Sequence, residues 1–169
     1  PFSIPSDFTE FITRPWTIIT YSFAHDYTRI LHILGNMLGL YWFGKLFIEY
    51  LGSDKLIAVY VLGALAGAII FLLSFNTVPK LAEFPSGGMV GASGAVYAVI
   101  VAIATLLPDY TFFLILIGPV RIKYIALFFI VVSLIGTTSA NAGGNLAHLG
   151  GALMGYIYTK QLQAGVNWG

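Results

Sequence analysis

Cysteine is absent from the chain, which excludes disulfides, thiolate metal centres and a cysteine nucleophile and leaves the redox compartment open. Charge is also scarce. Acidic and basic side chains make up 9% of the residues, against about a quarter in a soluble domain, so the charged surface that holds a globular protein in water is missing. A formal charge of +1 offers no concentrated basic face, and no nucleic-acid partner is expected. Three histidines, poorly supplied with acids and without thiols, make a metal site unexpected, and no cofactor is implied. Ten-residue segments of alternating polarity are missing too, which argues against a membrane β-barrel. No signal peptide is visible and residue 1 is Pro1, so the chain is expected to begin inside a longer sequence.

What is present is apolar: 58% of the residues are hydrophobic and the mean hydropathy is +0.87. Several segments approach the roughly 20 apolar residues that cross a bilayer as a helix. The expected fold is an all-α, polytopic membrane bundle, and without a polar linker residues 1–169 form one domain. A lead-in over 1–29, with three prolines, Trp16, Tyr21 and Phe23, suits the membrane interface. Spans are expected at about 30–48, 56–75, 91–107, 122–135 and 146–158. Between them, Asn76 to Val90 is expected to be irregular, Tyr110 to Val120 a hydrophobic loop lying against the membrane, and Gly136 to Asn145 a small-residue loop.

Successive spans alternate in direction, so the first, third and fifth begin on one face. His32 and Asn36 open the first, Ser93 the third and His148 the fifth, which puts four polar groups at one depth on one side. Lys45, Lys55, Arg121, Lys123 and Lys160 lie at the opposite face, against Arg14, Arg29 and Lys80 at the polar one. That bias places the polar cluster externally and the C-terminus inside.

A serine between glycines in a span is often a small packing residue. Polar groups at membrane depth are nevertheless functional candidates, and Ser with His is the minimum set for acyl transfer. The Ser93 N–H, at a helix N-terminus, and the Asn36 amide are natural oxyanion donors. His32 and Asn36 share a helix face, as do Ser93 and Tyr97. Gly94, Ala98 and Ala102 on one span and His148, Gly151 and Gly155 on another form small-residue stripes that allow close approach, bringing His148 toward Ser93 and the Tyr97 ring onto the imidazole. With no carboxylate near, a Ser-His dyad is expected. His32 alone could equally be a structural histidine. His25 is expected at the interface or capping a loop, and Asn145 bonding loop backbone.

Gly91-Ala92-Ser93-Gly94 followed by Tyr97, His32-Ile-Leu-Gly-Asn36, and Ala147-His148 with Gly151 and Gly155 resemble, in order and separation, the motifs of the rhomboid intramembrane serine proteases. The resemblance implies Ser93 as nucleophile, His148 as base, and an oxyanion site of Ser93 N–H, His32 and Asn36. It implies an endopeptidase cleaving a peptide bond in or near a transmembrane helix, so its partners would be transmembrane protein substrates within the lipid bilayer. It also implies a first span lying before residue 1, and a multi-pass protein of the bacterial cytoplasmic membrane with its site toward the external side. A polar cavity is expected under the loops 76–90 and 136–145. One departure is Trp16-Thr17, where the family usually has Trp-Arg, which puts the internal hydrogen bonding of that loop in question. Two alternatives are a non-proteolytic rhomboid-like protein that binds membrane clients, expected to lack Ser or His, and a small transporter, expected to show an inverted repeat that is not found.

Overall fold

The computed structural model describes residues 1–82, 88–114, 117–139 and 141–169. The lead-in holds two short helices, α1 (Phe8–Thr13) and α2 (Thr17–Thr20). Asp7 caps the first by accepting from the Glu10 N–H at 2.9 Å, the side-chain cap a helix start calls for. α3 (Ile30–Leu51) and α4 (Ser53–Thr77) follow, joined at Gly52, whose φ of 87° suits a residue without Cβ. After α5 (Pro79–Ala82) come α6 (Ser93–Leu106), strands β1 (Thr111–Leu114) and β2 (Gly118–Arg121), α7 (Ile122–Gly136) and α8 (Ala142–Gln163).

Length sorts these helices by role. α4 has 25 residues and a hydropathy of 2.7, and at 1.5 Å per residue it exceeds the roughly 30 Å hydrocarbon layer. α6 has only 14 residues, or about 21 Å. A helix of that length falls short of the thickness of the layer, and its first residue is Ser93.

α6 is also the centre of the bundle: ten of its residues, from Gly94 to Ala104, are buried by α8, α4, α3 and α7. In lipid, apolar burial between helices supplies little drive, and close van der Waals contact replaces it. A Cβ on Gly151 of α8 would overlap the Gly94 carbonyl, one on Gly155 the Ala98 carbonyl, and one on Gly63 of α4 the Ala98 methyl. Backbones of α4, α6 and α8 thus touch, while Leu31, Trp42, Leu127, Phe128 and Ile135 stay exposed on surfaces suited to lipid.

The segment Tyr110 to Val120 departs from the expected loop. β1 and β2 pair antiparallel, Thr111 with Arg121 and Leu114 with Gly118, which satisfies backbone groups that water cannot reach near a bilayer. Alternation along β1 turns Phe112 inward, where its ring meets Phe43 at 5.1 Å. Asp109 binds Arg121 at 3.1 Å and Lys123 at 2.6 Å, closing the hairpin onto α7; residues 115–116 lie outside the described residues. The irregular segment expected over 76–90 contains the end of α4 and all of α5, while Glu83, Pro85 and Gly87 lie outside the described residues. α8 begins at Ala142 rather than about residue 146 because Gly143 fits against Phe71 and Phe75, where a Cβ would meet ring carbons at 2.6 and 2.8 Å. Only 137–141 is left between α7 and α8, with Ala140 outside the described residues.

Candidate active site

Gly91 sets the turn into α6. Its φ is +135°, a region glycine enters freely and other residues avoid; its N–H donates to the Tyr21 carbonyl at 2.9 Å, and a Cβ there would press on His32 Cε1 at 3.0 Å. Ser93 is thereby delivered as the first residue of α6, its N–H among the amides a helix leaves unpaired.

The glycine contacts of α8 bring His148 to it. His148 Nε2 lies 2.7 Å from Ser93 Oγ, and the imidazole stacks on the Tyr97 ring with centroids 4.3 Å apart and planes at 16°. The other ring nitrogen, Nδ1, lies 3.1 Å from Ser133 Oγ, and Ser133 donates to the Tyr97 hydroxyl at 3.1 Å. Ser133 is fully buried and absent from the sequence-based set. Its signal was a hydroxyl near the end of an almost wholly apolar span, a position that membrane energetics marks as functional.

A second polar group is built around α3. Asn36 is buried, and its Nδ2 donates toward His25 Nε2 at 3.1 Å and His32 Nε2 at 3.4 Å. His25 Nε2 also faces the Ala92 N–H at 3.5 Å. His25 is therefore part of this cluster, and its contact with the Ala92 N–H, at the residue that caps α6, is the loop-capping role expected of it. The turn that puts it there is local: Asp26 accepts from the Thr28 N–H at 2.9 Å and the Thr28 hydroxyl at 2.6 Å, folding the lead-in back over α3. Partial burial holds the His25 imidazole below the ordinary histidine range, which keeps its nitrogen free to accept.

His32, Gly91, Ser93 and His148 line one cavity of about 420 Å³, together with Asp26, Arg29, Phe71, Asn141 and Gly144; Asn36 is not among the lining residues. Gly88 and Met89 border it as well. They are held by the fully buried Ile4, which exchanges two backbone hydrogen bonds with Met89 at 3.0 and 2.8 Å. Thr17, where the resemblance leads one to expect Arg, is buried and donates to the Arg14 carbonyl at 2.6 Å, so its turn has a local bond. Asn145 donates to the carbonyls of Gly136 at 3.0 Å and Asn141 at 2.9 Å, tying the end of α7 to the start of α8.

The Rhomboid domain family model matches residues 13–164. The chain is similar to RHOMBOID-like protein 12, mitochondrial, of Arabidopsis thaliana, 32% identical over 162 residues covering 90% of this chain and 48% of that protein. It is also similar to Rhomboid-like protein 16, chloroplastic, of the same plant, 30% identical with coverages of 90% and 50%. With Rhomboid protein 1, mitochondrial, of Saccharomyces cerevisiae it shares 31% identity, with coverages of 88% and 42%. The chain spans about half the length of these curated relatives or less. Their names are organellar, which overturns the expected bacterial cytoplasmic membrane. Hydropathy and loop charge report that a bilayer is crossed and carry no address.

Proposed function

We propose, on the premise that this chain belongs to the rhomboid family, that it is an intramembrane serine endopeptidase of an organellar membrane, acting on a peptide bond in or near the transmembrane helix of a substrate protein. The observation that carries this reading is the 2.7 Å approach of Ser93 Oγ to His148 Nε2 beside a polar cavity. Hydrolysis needs water and an extended backbone, both scarce in lipid. A cavity of about 420 Å³ has room for on the order of ten waters, and a substrate helix that unwinds at its end can lay its carbonyl there. Residues that weaken helices near that end should favour cleavage.

In this reaction Ser93 Oγ attacks the carbonyl carbon while its proton passes to His148 Nε2. The tetrahedral oxyanion is met by the Ser93 N–H and by His32, which lines the cavity, while the Asn36 amide bonds His32 Nε2 from behind and holds the ring in place. Collapse breaks the C–N bond as the imidazolium returns its proton to the leaving amine, and water then releases the acyl group from Ser93 with His148 again as base.

Labelling with a serine-directed fluorophosphonate tests the assignment on the folded protein, with Ser93→Ala and His148→Ala beside wild type. Labelling of wild type that is lost in both variants is expected. Labelling that survives Ser93→Ala removes the proposed nucleophile, and a folded wild type that never labels favours the non-proteolytic, client-binding alternative.

A further inference from the structure

In α7, Ile122–Gly136, the side chains beyond Tyr124 are all apolar except Ser133, and Ser133 is fully buried. The proton accounting at His148 explains why a hydroxyl is kept there. For Nε2 to accept the Ser93 proton it must be bare, so in the neutral ring Nδ1 carries the hydrogen. A buried N–H without an acceptor is costly. Ser133 Oγ, 3.1 Å from Nδ1, offers its lone pairs, because its own hydrogen is directed to the Tyr97 hydroxyl 3.1 Å away.

The direction of this chain matters more than its existence. With the hydrogen on Nε2 instead, the same three groups could be satisfied by reversing every donor. Once His148 has taken the Ser93 proton, both ring nitrogens carry hydrogen, so Ser133 can no longer donate to Nδ1 and must accept there. A network already running that way needs no rearrangement during the reaction, and its first bond strengthens when the ring becomes charged. Stabilisation that grows toward the transition state raises kcat rather than tightening substrate binding. No carboxylate among the described residues bonds to His148.

We propose that Ser133 is a positioning residue, which accepts from His148 Nδ1–H, holds the bare Nε2 toward Ser93 and stabilises the imidazolium in place of an acid. This rests on the reading of Ser93 and His148 as a nucleophile and its base. Ser133→Thr and Ser133→Val separate the hydroxyl from packing, since the two side chains share one shape and differ in the hydroxyl alone. In protein carrying ¹⁵N-labelled histidine, with the His148 signals assigned by their loss in His148→Gln, wild type and Ser133→Thr should show the Nδ1–H form predominating. Ser133→Val should show a mixture of the two forms.

In a cleavage assay, Ser133→Val and Ser133→Ala should lose about tenfold in kcat, the worth of one hydrogen bond to a charged group. KM should stay within about twofold, and Ser133→Thr should retain most of kcat. Equal tautomer populations and equal kcat in the Thr and Val proteins overturn the proposal, as does a loss carried by KM. The spectroscopic arm needs no turnover, so a wild type that fails to label with fluorophosphonate defeats the protease reading while the tautomer comparison still decides the role of Ser133.

Discussion

The substitution Gly151→Ala turns the helix contact at the site into a measurable quantity. A Cβ at residue 151 would overlap the carbonyl oxygen of Gly94, which is backbone and cannot rotate aside, whereas Cβ atoms keep at least 3.0 Å from such neighbours. Relief requires α8 to retreat from α6 by about 1 Å, well inside the range of shifts packed helices undergo. Ser93 precedes the struck residue, and His148 lies one turn before Gly151, so the displacement falls on their hydrogen bond. From 2.7 Å, a retreat of that size takes the pair beyond the roughly 3.0 Å limit for a hydrogen bond between hydroxyl and acceptor. A misplacement of about 1 Å lowers turnover about a hundredfold, equivalent to about 2.7 kcal/mol in the barrier. Cleavage of a transmembrane substrate in vesicles, with the rate of fluorophosphonate labelling alongside, reads the effect. Gly35→Ala is the control, since a methyl there meets nothing within 4 Å and should leave both rates alone. A Gly151→Ala protein that cleaves and labels at the wild-type rate would refute the claim that backbone contact between α6 and α8 sets the Ser93–His148 distance.

Two further outcomes are expected. His32→Ala should lower kcat by about a hundredfold with little change in KM, as loss of an oxyanion donor lining the cavity does, and an effect confined to KM in steady-state cleavage would remove His32 from that role. Burial depresses the folded-state pKa of His25, so the unfolded chain takes up its proton first as pH falls below about 6.5 and the folded state loses stability there. His25→Gln keeps an acceptor for Asn36 without titrating, and its melting temperature should fall less than that of wild type between about pH 6.5 and 5; identical pH dependence of the two melts would show that His25 contributes nothing.

Much of the fold was legible because membrane helices announce themselves by length and composition. α3, α4, α6 and α7 occupy stretches whose apolar runs are plain in the chain. The hairpin β1–β2 was not legible, since a short apolar run bounded by Pro108 and Pro119 has no period long enough to separate strand from loop, and its pairing is decided by Phe112 settling on Phe43. At the site, Ser93, His148 and Tyr97 could be brought together on paper because parity and glycine stripes are properties of single helices. His25 and Ser133 could not. Each meets its partner across 11 to 15 positions of sequence through a turn or a helix junction that no local pattern encodes.

Composition and periodicity alone determined that this chain lives in a bilayer, runs back and forth as helices, and carries its polar side chains at one depth, because an unpaired backbone in hydrocarbon leaves few other solutions. Only the tertiary structure decided which of those side chains touch. Distances of 2.7 and 3.1 Å depend on how closely helices seat against one another, and that seating is a property of several surfaces fitted at once.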